Sequence, residues 1–365
     1  MHGLLIFSAI FSWILSLLAL ANLRTMLRPN KGQAAVVTNT VEILIPARNE
    51  SENIKNCVSS ALLQGGVNNL RVTVLDDAST DDTALKLSQI DDARLRVITG
   101  GDEIPSGWLG KPWACARLAQ QSDAEYLVFI DADVQLEPQA IASSIELLER
   151  SNMAFISPYP KQETSTPLTR LIQPLLQWSW LHTVPLKLAQ KTARKSLAVA
   201  NGQFIVCRRG DYERAGGHES VRDQVLDDIM LLRSFYEHGL TGTVADGTHL
   251  ATCRMYSTDG ELITGYSKSL WQAFNGAVGS IFTNLFLLLV YTLPLFGLLS
   301  AQWPIALLAL TGAIYGRWIV AVHMSQRKFP EIFTHSIAIA VFAGLNALSW
   351  FRHLRGTNSW KGRAL

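Results

Sequence analysis

The chain has 365 residues, 48% of them hydrophobic and only 17% charged, with a formal net charge of +2. Soluble chains average about 25% charged residues, so the deficit points to lipid. The charge is too small to favour nucleic acid as a partner, and no Lys/Arg block interleaved with aromatics appears.

From Gly3 to Leu23 the stretch "GLLIFSAIFSWILSLLALANL" carries no charge, and its length is that of a helix crossing about 30 Å of hydrocarbon. A signal peptide would have a basic n-region and a small-x-small cleavage site, and neither is present. Residues 1–23 are therefore expected to form an uncleaved anchor. Arg24, Arg28 and Lys31 follow in a basic linker, 24–39, and no acid precedes Glu42. Positive flanks stay in the cytoplasm, which predicts a cytoplasmic domain at 40–265 on the cell membrane.

Within that domain "VEILIP", "RVTVLDD", "RLRVIT", "YLVFIDAD" and "QFIVCRR" are short runs of branched and aromatic residues separated by helical patterns. This is the pattern of βα units on a mostly parallel sheet, an α/β class with ligands at the carboxyl ends of the strands. Asn49 with Glu52, and Ser79 with Asp82, have capping-box spacing just after strand ends. In "EPQAIASSIELLERS", Ile141, Ile145 and Leu148 form one helical face after Pro138. Cys57, Cys115, Cys207 and Cys253 are scattered without a C-x-x-C pair, as in a reduced core.

Residues 168–197 mix Leu, Ile and Trp with Arg170, Lys187, Lys191, Arg194 and Lys195, and Pro174 and Pro185 interrupt them. They are too broken to span a bilayer, and are expected to be interfacial helices lying on anionic lipid. The C-terminal region 269–351 holds uncharged runs at 269–316, with Gln302-Trp303-Pro304 as a turn, and at 332–351. Three crossings there would put the tail 352–365 outside, yet that tail is basic with no acid. The charge rule places it inside, so one of the C-terminal segments is expected to be re-entrant or interfacial.

No G-x-G-x-x-G or G-x-x-x-x-G-K-[ST] occurs. "DDASTDDTALKL" has Asp82 where a calcium loop needs its turn glycine. What remains is acidic. Asp76-Asp77, Asp131-x-Asp133 and Asp227-Asp228 stand at strand ends or before the helix "IMLLRSFYEHG". A single Asp after a strand is usually a cap, but like charges held close cost stability unless a cation neutralises them. Oxygen ligands without His or Cys favour Mg²⁺ or Mn²⁺ over zinc.

Taken together, "IPARNE", "DDAST", "DAD", "GWLGKPWAC", "NGQFIVCRRGDYERAGGHESVRDQVLDD" and "WKGR" resemble membrane-anchored family 2 glycosyltransferases of the GT-A fold. The similarity is strongest to the hopanoid-associated and carotenoid branch. The resemblance implies a nucleotide-sugar donor, with UDP as nucleotide, a divalent metal, a lipid acceptor and inversion at the anomeric carbon. It places Pro46, Ala47, Glu50, Asp76, Asp77, Lys111, Asp131, Gly202 and Gln203 around the nucleotide sugar. Asp131 and Asp133 would hold the metal, with Asp133 favoured as direct ligand. Asp228 would be the general base, with Asp227 beside it where Glu is usual. Trp271, near "YSKSLWQAFNG", would lie on the acceptor side, although a Q-x-x-R-W motif is not recognisable there. A processive polysaccharide synthase and a catalytically silent nucleotide-sugar-binding membrane protein are the alternatives.

Overall fold

A computed structural model describes residues 1–357 except Lys31, Gln33, Asp102 and Asn275, together with the backbone of a short antiparallel pair at 359–360 and 363–364. The side chains of the "WKGR" motif, and Lys31 of the basic linker, lie outside the described residues. In chain order the elements are α1 (His2–Thr25), β1 (Val37–Ala47), α2 (Ile54–Leu62), β2 (Val67–Asp76), α3 (Thr83–Ser88), β3 (Leu95–Thr99), α4 (Gly110–Gln120), β4 (Tyr126–Ile130) and β5 (Val134–Leu136). There follow α5 (Ala140–Ser151), β6 (Phe155–Gln162), α6 (Pro167–Ile172), α7 (Pro174–Thr183), α8 (Leu186–Thr192), β7 (Phe204–Arg208), α9 (Arg209–Arg214), α10 (Asp227–Glu237) and β8 (Gly242–Cys253). The chain ends in α11 (Asp259–Ala273), α12 (Ala277–Gly297), α13 (Trp303–His323) and α14 (His335–Leu354). They form two compact units, one of residues 26–163 and 186–255, the other of 1–25, 164–185 and 256–365.

The first unit is an eight-stranded sheet in the order β3-β2-β1-β4-β7-β6-β8-β5. Strands β3, β2, β1 and β4 are parallel, whereas β7 runs antiparallel to both β4 and β6, and β5 antiparallel to β8. β6 and β8 are parallel, so the sheet is mixed, with β5 and β7 reversed against six strands that share one direction, mostly parallel as expected. The period-2 alternation of strand residues feeds two cores. Ile43, Ile45, Val72, Val74 and Val128 face α2 and α5, meeting Ile54, Val58, Ile141, Ile145 and Leu148. Leu44, Leu75, Leu127, Phe129 and Ile205 face the other way, against Leu118 of α4 and Leu231 and Phe235 of α10. All four cysteines are buried and unpaired.

The two capping boxes do not form. α2 and α3 start later, after Asn53 and Asp82, with no side-chain cap at either. Asn49, at φ 52°, instead links two loops: its amide donates to Ser79 Oγ at 2.9 Å and its Oδ1 accepts from Thr80 N–H at 2.8 Å. The basic linker is partly tied to the sheet, since Arg28 pairs with Asp246 at 3.1 Å and Leu27 bridges to Ala245.

In the second unit four helices, α1, α12, α13 and α14, are long and apolar enough to cross a membrane. Their outward side chains include Ile10, Ile14, Leu17, Ile281, Phe282, Leu285, Leu307 and Leu308. α1 and α13 run parallel and close: Trp13 Nε1 donates to the Leu308 carbonyl at 3.1 Å and Ser16 Oγ to that of Gly312 at 2.9 Å. A Cβ at Gly312 or Gly316 would collide with Ser12 or Ser16, so glycine is what permits the approach. α12 runs the opposite way, with Leu5 against Gly297, Ser8 against Leu289 and Phe11 against Phe286. α14 is antiparallel to α12 in turn: Thr292 reaches Ser336, Asn346 reaches Asn284 and Trp350 reaches Ser280.

Consequently α13 and α14, consecutive in sequence, point in the same direction. The eleven residues between them carry the chain back into the bundle, and α14 starts level with Tyr291 and Thr292, well inside it. The end of α14 lies with Thr25 and Ala277.

Segment 168–197 does break at Pro174 and Pro185. Ile172, Leu175, Trp178, Leu181 and Leu186 are buried, whereas Leu188 is exposed and Leu171, Leu176 and Trp180 are half-buried.

Candidate active site

Strands β1, β2 and β4 end at one edge of the sheet, and carboxylates close or follow two of them, β2 and β4. Asp76, last in β2, accepts from Ser79 N–H at 3.1 Å and is buried. The Asp77 amide donates to the Ala47 carbonyl at 2.8 Å, and its own carbonyl accepts from Arg48 Nη1 at 2.6 Å. These bonds tie the ends of β1 and β2 into one wall. Pro46 is half-buried and Ala47 buried in that wall. Glu50 is fixed in the next turn, where its amide donates to Thr83 Oγ1 at 2.8 Å and its Oε2 accepts from Asn53 Nδ2 at 3.1 Å.

β4 delivers Asp131 to the same edge. Because β7 is antiparallel to β4, its start lies beside the end of β4, and Asp131 N–H donates to the Gln203 carbonyl at 3.1 Å. The stretch Asn201-Gly202-Gln203 is thereby placed next to the acidic pair. Asn201 Oδ1 accepts from Gln203 N–H, and the buried Gln203 side chain accepts from Gln162 Nε2, at 2.8 and 2.7 Å.

Lys111 sits in the first turn of α4, where a cation opposes the helix dipole. Its Nζ is 2.6 Å from Asp131 Oδ1. Burial works against its charge, but Asp131 and Asp227 outweigh burial and hold its pKa well above the usual lysine value. Asp227 and Asp228 form the first turn of α10, so they lie within the helix. Neither is its cap, which is Leu226. Asp228 Oδ2 accepts the amide of Gly202 at 2.8 Å, and its Oδ1 accepts from Ile229 N–H at 2.8 Å. Burial, and then the charge of Asp227, push Asp228 up to about 6. A Cβ on Gly202 would stand 3.3 Å from Lys111 Nζ and 3.3 Å from Asp228 Cβ, so this glycine lies between the ammonium and the carboxylate.

Asp133 follows the buried Ala132 and precedes β5. Its Oδ1 is buried and has no hydrogen-bond partner among the described residues. Burial, with Asp131 and Glu50 adding repulsion, raises its pKa to about 7. A carboxylate oxygen desolvated and unpaired in this way, between two further carboxylates, fits a hard divalent cation, whose charge would relieve all three. Among the described residues no group of three or more His, Cys, Asp or Glu stands at metal-ligand spacing.

The structure thus brings together Pro46, Ala47, Glu50, Asp76, Asp77, Lys111, Asp131, Asp133, Gly202, Gln203, Asp227 and Asp228 in the sheet unit. Trp271 belongs instead to the helical unit, where it stacks on His353 at 3.6 Å and its indole N–H donates to the Lys268 carbonyl. Sequence reasoning missed Asn201 and Gln162. Asn201 shows no pattern of its own; the signal would have been that "NG" opens an antiparallel strand. His218 is a core group, bonded to Tyr212 Oη at 2.8 Å and edge-on to Phe129.

Residues 42–216 match the family model described as glycosyl transferase family 2. Among curated proteins the chain is 25% identical to a 4,4'-diaponeurosporenoate glycosyltransferase of Staphylococcus haemolyticus, over 94% of this chain and 92% of that one. It is 24% identical to the protein of the same name in Staphylococcus aureus, over 88% and 87%. Among solved structures it is similar to a mannosyltransferase of Pyrobaculum calidifontis in complex with GDP-Man and Mn²⁺, at TM-score 0.55 and 16% identity, covering 96% of this chain and 99% of that one. That likeness shows the fold, GT-A with helices at both ends of the chain. The chain therefore carries, at residues 42–216, a glycosyl transferase family 2 domain, the domain of a glycosyltransferase enzyme.

Proposed function

We propose that this enzyme transfers a single sugar, with inversion, from a nucleoside diphosphate sugar to an acidic or hydroxyl group of a membrane lipid of the isoprenoid class. The observation that carries the reading is the line Asp133, Asp131, Lys111, Gly202, Asp228, which sets a cation-seeking carboxylate at one end and a raised-pKa carboxylate at the other. The wall of Pro46, Ala47, Asp76 and Asp77 would hold the nucleoside, with UDP as the nucleotide. Asp131 and Asp133 would hold Mg²⁺ or Mn²⁺, which when bound neutralises the diphosphate leaving group. Two carboxylates leave most of the coordination sphere of such an ion to water and donor phosphates, as in other phosphate-dependent Mg²⁺ sites.

Lys111 faces the developing charge of the same diphosphate. Asp228 accepts the proton of the attacking acceptor group, a contribution of about 10² to 10⁴-fold. Its orientation is set by the Gly202 amide on one oxygen and the Ile229 amide on the other. The lipid class is supported by the two relatives, both diaponeurosporenoate glycosyltransferases, and by the four apolar helices among the described residues. We place the sheet unit in the cytoplasm, on the charge of the Arg24–Arg28 flank.

The test is transfer by the purified full chain in lipid nanodiscs. A labelled UDP-sugar with Mn²⁺ and a carotenoid-containing lipid extract should yield one new glycolipid carrying one sugar. Release of free sugar only, or a ladder of longer products, would overturn the reading.

A further inference from the structure

The two carboxylates assigned to the cation are not served alike by the chain. Lys111 Nζ stands 2.6 Å from Asp131 Oδ1, with the two side chains 25% and 28% exposed. Asp133, by contrast, keeps its buried Oδ1 without a hydrogen-bond partner among the described residues. One member of the pair thus has a positive charge of the protein's own. An ion pair so largely buried is screened much less than one on the surface, and it compensates an ammonium that the first turn of α4 opposes.

Lys111 and a divalent cation on Asp131 would share a single carboxylate, with like charges only a few ångströms apart. They repel. Either the ammonium leaves Asp131, or Asp131 is closed to the cation. The surroundings let it leave, because Asp227 is a second carboxylate whose charge it feels and Gly202 lies beside Nζ with no side chain, a Cβ there standing 3.3 Å away. A lysine has a flexible four-carbon stem and three donors that rotate, so it can change partners while α4 stays in place. Phosphates held beside Asp131 would offer the ammonium the negative charge it gives up.

We infer that Lys111 competes with the divalent cation for Asp131 and gives way when a nucleoside diphosphate offers its ammonium a new partner, so that cation and nucleotide load together. Lys111 is then a latch on the acidic pair as well as a phosphate contact. The pair takes up little cation by itself, and Asp133 alone, with its unpartnered oxygen, stands ready at all times.

The inference rests on the nucleotide-sugar reading for the release of Lys111, and on the assignment of Asp131 and Asp133 for the competition. Binding of Mn²⁺ is measured directly, from the loss of the free-ion EPR signal, on the full chain in phosphatidylcholine nanodiscs. Without nucleotide, Lys111→Met, uncharged and of similar size, is expected to bind Mn²⁺ at least about tenfold more tightly than the wild type, while Lys111→Arg, which keeps the charge, gains nothing. The gain should vanish in an Asp131→Asn background, since that carboxylate is what the two cations contest. Saturating UDP should tighten Mn²⁺ at least about tenfold in the wild type and less in Lys111→Met, which has no ammonium to hand over. Should Lys111→Met not fold, Lys111→Gln carries the same expectations. A lysine that merely braces the fold would, on replacement, lower Tm and leave Mn²⁺ affinity unchanged or weaker, and that result overturns the proposal. So does a gain that survives without the Asp131 charge. UDP that fails to tighten Mn²⁺ in the wild type overturns the release step and the donor reading with it, whereas the nucleotide-free comparison judges the competition separately.

Discussion

The amide of Gly202 donates to Asp228 Oδ2 at 2.8 Å, so a strand start positions a helix side chain. The same glycine has Lys111 Nζ within 3.3 Å of where a Cβ would stand. Gly202→Ala should therefore push the ammonium and the carboxylate apart by a few tenths of an ångström. Transfer is expected to fall about 10 to 100-fold, with folding stability changed by no more than about 1 kcal/mol. Steady-state kinetics and a denaturant titration would check both; a fully active variant would show that the spacing does not matter.

Asp228→Asn can accept only one of the two amide bonds, since its Nδ2 is a donor, and it removes the base. Transfer should fall by about 10² or more with near-normal UDP affinity. A variant within a few-fold of wild type would move the base to Asp227.

The raised pKa of Asp228, about 6, fixes the direction of two pH effects. As a base it must be ionised, so kcat/KM should rise with pH up to about 6 and level off above it. In the linkage sense a raised carboxyl binds its proton more tightly folded than unfolded. The ionised group thus costs stability above about pH 6, and the cost fades as pH falls towards the ordinary carboxylate range. Relative to the wild type, Asp228→Asn should therefore gain about 1–2 kcal/mol of stability between pH 4 and pH 7, on top of a pH-independent loss for the amide bond it cannot accept. Thermal melts at the two pH values test this; a difference from wild type that does not change with pH would count against the assigned environment.

Asp133→Ala should abolish Mn²⁺-dependent UDP binding and lower transfer by about 10³-fold, since one of two carboxylates facing the cation is lost. Calorimetry that finds UDP affinity in Mn²⁺ unaltered would reject Asp133 as a ligand.

A cysteine at Thr357 should be labelled from the same side of the membrane as one at the exposed Gly260 of the same unit, because the end of α14 lies with Thr25 and Ala277. Labelling from opposite sides would restore a full fourth crossing.

The acidic strand ends were legible because each follows a β-branched run, and period-2 burial with a polar stop needs no partner to be recognised. β5, β6 and β8 were not. "FISPYPKQ" contains two prolines that demote a strand on local grounds, yet six of its eight residues are buried because its neighbours in the sheet supply the pairing. The capping boxes failed for a related reason. Asn49 and Ser79 have the right spacing for helices but found each other across two loops, a contact invisible to local sequence. The clash between segment count and tail charge did carry information, for α13 and α14 run parallel.

The direction of α14 also bears on the order in which the chain is made. The returning backbone of residues 324–334 could not lie bare against lipid, where unpaired amides and carbonyls have no solvent. It needs α1, α7, α12 and α13 already side by side to receive it. Residues 324–365, 42 in all, are therefore a plug set into a finished bundle, and a chain that stopped at His323 would still insert its three other apolar helices in the same sense, with the seat for that plug left open.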